Sequence, residues 1–221
     1  VDPKKISKIK EYLKITKKLG FIVAVNLMYT HLILNDEKIT LDIIKLKKYF
    51  DIMYLVDSYG TLIPGDIGSI IKKIKLIDKN LNVGFHSHNN LELALSNSIE
   101  AINHGIDFVD CTFTGMGRGA GNLKTELLLS YLGIKLNKIR INNFKNIGRV
   151  VDMFEEIRSK EKWGATLPYM ISGSTNSPQS EAMQLIKSKR YDMTDIVTYL
   201  YNKKKKKIKI IKNLNFKKKK I

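Results

Sequence analysis

Asn82-Val83-Gly84-Phe85-His86-Ser87-His88-Asn89-Asn90 is the stretch on which the reading of this chain turns. It opens as a short apolar run and ends in two histidines separated by one residue. If the run is a strand, alternate side chains share a face, and His86 and His88 stand on the same one, about 7 Å apart at their bases. One metal ion fits between imidazoles so placed. Only four histidines occur in 221 residues, which argues against a chance pairing. The competing reading makes both of them surface or turn histidines, because His-x-His alone is a weak pattern.

On either side of this stretch, helical and extended patterns alternate. Residues 4–19 carry Ile6, Ile9, Leu13 and Ile15 among lysines, a helical spacing that Gly20 closes. Residues 21–25 read as a buried strand, and Thr40 is placed to cap a helix over 40–50. A second strand over 52–56 closes with Asp57-Ser58-Tyr59-Gly60, and Pro64 suits the first turn of a helix reaching about residue 78. After the histidines come a helix over 91–104, a strand over 108–113, a glycine loop over 115–121 and a helix from 122 to about 132. Helical patterns near 142–160 and 178–201 flank the loop Trp163-Gly164-Ala165-Thr166-Leu167-Pro168.

Four strand–helix units, repeating about every 25 to 30 residues, predict an α/β fold with a parallel sheet. The near-continuous apolar strands predict burial on both faces. Polar residues gather at the strand ends: Asn26, Asp57 and Ser58, His86 and His88, then Thr112, Thr114 and the glycines. Ligands of parallel α/β folds bind at those C-terminal ends.

Composition sets outer bounds. With 43% apolar and 27% charged residues the chain is an ordinary globular one, and its apolar runs are too short to span a membrane. A single cysteine, Cys111, and the absence of an apolar signal core after Val1 lead us to expect a cytoplasmic protein. Of the 39 basic residues, eleven are lysines within 203–221, which holds no acid; the rest of the chain carries 28 basic and 21 acidic residues. The body is thus mildly basic and the tail is the anomaly. A lysine run can bind nucleic acid by counterion release, but a solvated, disordered extension is the reading we favour, and nucleic acid and membrane are not expected as partners.

Neutral histidines suit Zn, Mn, Fe or Co, and oxygen ligands beside them shift the preference toward Mn or Mg. Asn122, directly after the glycine loop, reads either as a weak oxygen donor or as a helix N-cap. Gly115, Gly117 and Ala120 trace a relaxed dinucleotide fingerprint, yet Asn137-Lys138-Ile139-Arg140 stands where its acidic residue belongs; NAD is therefore set aside. Asp57 and Ser58 suit a substrate oxygen or an ordinary turn. Asn89 and Asn90 suit either the histidine ring nitrogens or the cap of the next helix. His31 and His104 receive no role, and Cys111 reads as a small core residue.

The residues from about 21 to 180 resemble the metal-dependent aldolase barrels, the family of 3-hydroxy-3-methylglutaryl-CoA lyase, 4-hydroxy-2-oxovalerate aldolase and isopropylmalate synthase. The resemblance is carried by Val56-Asp57-Ser58-Tyr59-Gly60, by Gly84-Phe85-His86-Ser87-His88-Asn89-Asn90-Leu91, and by Asn97-Ser98 with Ala101 and Gly105. Asp110-Cys111-Thr112, Gly115-Met116-Gly117-Arg118-Gly119-Ala120-Gly121-Asn122, Trp163-Gly164, Leu167-Pro168-Tyr169-Met170 and Gly173 carry it further, in the family's order. It implies the C-terminal half of a TIM (β/α)8 barrel, strands five to eight with their helices, over 1–140. A helical region over 141–202 and the lysine-rich tail over 203–221 would follow.

The resemblance further implies a divalent metal, Mn or Mg, on His86 and His88 with Asn122 within reach, and a small 2-oxo acid against Ser58 and His86. The activity implied is a lyase cleaving a carbon–carbon bond in a 4-hydroxy-2-oxo acid. No match is found here to the family's Arg-Asp pair on its first strand, so this chain is expected to be an incomplete, inactive part that needs a homo-oligomer or a complementary chain. Two alternatives stand beside it: an acyl-CoA-dependent Claisen synthase of the same family, and a non-catalytic half-barrel binding another chain or nucleic acid.

Overall fold

A computed structural model describes residues 1–141 and 144–205. Strands β1 (Ala24–Leu27), β2 (Ile52–Asp57), β3 (Asn82–Ser87) and β4 (Phe108–Asp110) form one parallel sheet in the order β1-β2-β3-β4. Helix α1 (Lys10–Lys18) precedes it, and α2 (Glu37–Ile44), α3 (Pro64–Ile77) and α4 (Ala94–Asn103) make the three crossovers. After β4 come α5 (Thr125–Leu129), α6 (Phe144–Glu161), α7 (Leu167–Ser174), α8 (Ser180–Ser188) and α9 (Met193–Lys205). Each strand pairs with the next in sequence, as in a barrel wall.

The period-two rule sorts the strand residues. Val25, Leu27, Met53, Leu55, Val83 and Phe85 are buried in one core with Ile43 of α2 and Ile67, Ile70, Ile71 and Ile74 of α3. Phe85 has no exposed surface, and truncating such a side chain to alanine costs about 3–5 kcal/mol. On the other face stand Asn26, Tyr54, Gly84, His86 and Phe108. Among the described residues this second face is buried only in part: Val56, in register with His86, is buried on it, while Phe108 is 41% exposed. Gly84 is required here: a Cβ would sit 2.5 Å from the Tyr54 ring on the neighbouring strand.

Several element boundaries differ from expectation for local reasons. The strand expected over 21–25 starts at Ala24; Phe21 and Ile22 are exposed, and pairing is set at Val23, whose N–H donates to Asp51 Oδ2 at 2.7 Å. Asp36, not Thr40, caps α2 by accepting the Ile39 N–H, and Thr40 is buried inside the helix. The strand expected over 108–113 stops at Asp110, because the Thr112 N–H turns to Leu123. The 163–168 loop gives way at Leu167 to α7, with Pro168 in its first turn. The 178–201 pattern is two helices, broken where Lys189 takes φ +53°. The lysine tail beyond Lys205 lies outside the described residues. Among those described, no helix is long and apolar enough to cross a membrane.

Candidate metal centre

β3 delivers the histidines at its C-terminal end. His86 is in register with Val56 of β2 and Asp110 of β4, and His88, one step past the strand, bridges to Asn122. Val83 and Phe85 belong to the helix-covered core, and Ser87 Oγ accompanies them toward α4, where it meets Ser98 Oγ at 3.3 Å. Alternation therefore puts Gly84, His86 and His88 on the opposite face. The two imidazole centroids are 5.2 Å apart, with the rings at 85°.

Each ring is held through Nδ1. His86 Nδ1 lies 3.1 Å from Asp110 Oδ2, and His88 Nδ1 lies 2.8 Å from the Asp57 carbonyl. A carbonyl oxygen only accepts, so His88 carries a proton on Nδ1, and a carboxylate facing His86 likewise places a proton on its Nδ1. Burial lowers the pKa of His88 and keeps it neutral, with the Asp57 hydrogen bond opposing. Rings engaged through Nδ1 with Nε2 turned outward are the arrangement that metal-binding histidines adopt.

The loop after β2 is tied to the same place. The Asp57 carboxyl is buried and accepts the N–H groups of Thr61 at 3.0 Å and Leu62 at 3.2 Å. Burial outweighs those bonds and pushes its pKa up to about 6. Ser58 Oγ accepts the Tyr29 N–H at 2.8 Å.

Asn122 is not a helix cap. It precedes α5 by three residues, and its Nδ2 donates to the Met116 carbonyl at 3.0 Å, leaving Oδ1 as its donor atom toward a cation. The glycine loop folds back so that the Asn122 N–H meets the Gly115 carbonyl. A Cβ at Gly121 (φ +76°) would lie 2.4 Å from that same carbonyl, so the turn admits only glycine. Asn89 and Asn90 serve the scaffold: Asn89 Oδ1 accepts the Ala94 N–H at the start of α4, and Asn90 Nδ2 donates to the Tyr169 carbonyl.

The structure thus gathers His86, His88, Asn122 and the Asp57-Ser58 turn on one rim. Among the described residues no three His, Cys, Asp or Glu side chains come together as a cation site, so the donors at hand are two Nε2 atoms and one amide oxygen. Asp110 was missed from sequence, although its place at the end of the adjacent strand was a signal. So was Tyr54 beside it, whose phenol is raised in pKa by burial and then by the Asp110 carboxylate.

Residues 3–153 match the HMGL-like family. The chain belongs to that family. Against the 4-hydroxy-2-oxovalerate aldolase of Carboxydothermus hydrogenoformans this HMGL-like chain is 32% identical, over 86% of its own length and 57% of the relative's. It therefore spans less than three fifths of that curated relative. The N-terminal domain of a candidate aldolase from Bacteroides vulgatus superposes with a TM-score of 0.80 at 38% identity, covering 90% of this chain and 64% of that one. The HMG-CoA lyase of Brucella melitensis, at 14% identity and a TM-score of 0.59 over 71% of this chain and 59% of that one, shows the shared fold. The four-stranded sheet is part of a TIM barrel of the aldolase family.

Proposed function

We propose that this chain contributes the histidine ligands and the substrate-facing turn of a divalent-metal-dependent lyase acting on a small 4-hydroxy-2-oxo acid. The observation that carries the reading is the paired use of Nδ1: both rings are fixed by oxygen acceptors and offer only Nε2 outward. The aldolase relatives supply the substrate class. His86 and His88 would hold the cation, with Asn122 Oδ1 completing this chain's share, and Mn or Mg fits a site finished by oxygen. When bound, such an ion stabilises negative charge developing on the oxygens of a 2-oxo acid as a carbon–carbon bond breaks or forms.

The remaining roles belong to the chain itself. Asp110 and the Asp57 carbonyl keep both rings in the tautomer that binds metal. The Ser58 hydroxyl accepts from Tyr29 and so has its own proton to donate to a substrate oxygen. The buried Asp57 carboxyl fixes the turn that presents both groups.

Mn2+ titration followed by electron paramagnetic resonance tests the assignment. His86→Ala and His88→Ala should abolish tight binding, and Asp110→Asn should weaken it by about 10- to 100-fold. Release of pyruvate from 4-hydroxy-2-oxovalerate by the whole protein should stop on adding a chelator. Undiminished Mn2+ binding by both alanine variants overturns the reading, and dependence on acetyl-CoA would move it to the Claisen synthases.

A further inference from the structure

Three aromatic rings on the same rim have no part in the function proposed above. Tyr29 follows β1, His31 stands two residues on, and Tyr59 belongs to the turn after β2. All three pairs are in contact. His31 stacks on Tyr59 at 5.4 Å between centroids, Tyr29 tilts against Tyr59 at 5.3 Å, and Tyr29 meets His31 edge-on at 6.4 Å. Burial lowers the pKa of His31, so it stacks as a neutral ring.

Tyr29 is also strained. Its backbone is left-handed, at φ 58° and ψ 44°, a region that a bulky side chain occupies only when its surroundings impose it. That conformation aims its N–H at Ser58 Oγ, 2.8 Å away. The tripeptide Asp57-Ser58-Tyr59 is then gripped from two sides. His88 holds the Asp57 carbonyl at 2.8 Å, the rings hold Tyr59, and Ser58 lies between with its oxygen already accepting.

We propose that Tyr29, His31 and Tyr59 form a three-ring clamp that aims the Ser58 hydroxyl proton at the 2-oxo acid ligand of the histidine pair. The clamp rests on the proposed function for its ligand and goes beyond it in naming three positioning residues, none of which touches the ligand. Ring contacts of this kind fix geometry beyond their area alone, and Ser58 needs fixing because a hydroxyl rotor is otherwise free.

Calorimetric titration of pyruvate into the Mn2+-loaded full chain tests this, with Mn2+ affinity measured separately by electron paramagnetic resonance. Tyr59→Leu is expected to weaken pyruvate binding about tenfold, the size of one directed hydrogen bond, while Tyr59→Phe keeps the ring and binds within about twofold of wild type. Mn2+ affinity should stay within about twofold throughout. Added to Ser58→Ala, Tyr59→Leu should cost nothing more, since the group it aims is gone. His31→Leu gives the same readout from the other side of the stack should Tyr59→Leu fail to fold.

Unchanged pyruvate binding in Tyr59→Leu and His31→Leu overturns the clamp, as do additive losses with Ser58→Ala or a parallel fall in Mn2+ affinity. A wild-type chain that binds Mn2+ but ignores pyruvate overturns the substrate reading and the clamp with it. One that binds pyruvate equally well with and without the rings overturns the clamp alone.

Discussion

Asp57 places two opposing forces on one carboxyl. Its oxygens face the backbone N–H groups of Thr61 and Leu62, which favour the anion, while nearly complete burial disfavours it and prevails, to a pKa of about 6. The sign follows from linkage. Between about pH 4 and 6 the folded chain binds a proton that the unfolded chain releases, so this residue adds stability as pH falls and loses it as pH rises through 6. Asp57→Asn must turn an amide nitrogen toward a backbone donor, and should lose about 1–3 kcal/mol at pH 7. The deficit should widen toward pH 4.5, because only the wild type gains on protonation. Urea denaturation of both proteins at the two pH values measures it, and a deficit that narrows on acidification means that the N–H groups dominate instead.

At the scale of elements, the C-terminal helices are stitched to the loops of the rim. Gln179, just before α8, accepts the Asn90 Nδ2 at 3.3 Å and the Ala120 N–H at 3.2 Å, and its Nε2 donates to the Arg118 carbonyl. Trp163 donates from Nε1 to the Thr114 carbonyl at 3.0 Å, and the Gly164 N–H reaches Gly119. Gly119 (φ +60°) leaves room for this seam, since a Cβ there would lie 2.5 Å from Gln179 Oε1. Gln179→Ala strands the Ala120 N–H and the Arg118 carbonyl of the glycine loop, and should lower stability by about 1–3 kcal/mol in a thermal melt. A change near zero would mean that the loop holds its shape without α8. None of this seam was legible in the sequence. Trp163 and Gly164 could be matched to a family pattern, but a contact between residues 90 and 179 leaves no mark at the spacing of either. The choice between the two readings of Asn122 was not legible for a related reason. Asparagine ahead of a helix usually caps it, and here the loop's return path had already committed its amide to Met116.

For the whole molecule, the strand–helix alternation carried most of the fold, because apolar periodicity is set by burial and burial is what the core of β1–β3 and α2–α3 delivers. The histidine pair was legible for the same reason, since strand alternation alone put both rings on one face. Burial of the second sheet face was not, because it depends on what lies opposite rather than on the strand itself. That face and the outer edges of β1 and β4 lead to a prediction for the intact fold. β2 and β3 each have two hydrogen-bonded neighbours, whereas β1 and β4 have one among the described residues. An edge strand opens without breaking the centre, so amide exchange should be at least about tenfold faster at Val25 and Val109 than at Leu55 and Phe85. Hydrogen–deuterium exchange read by mass spectrometry on dilute protein measures this. Equal protection across all four strands would instead show the edges to be covered. Protection at β1 and β4 that grows with protein concentration would then identify a second copy of the chain as the cover, because only self-association responds to concentration in a one-component sample.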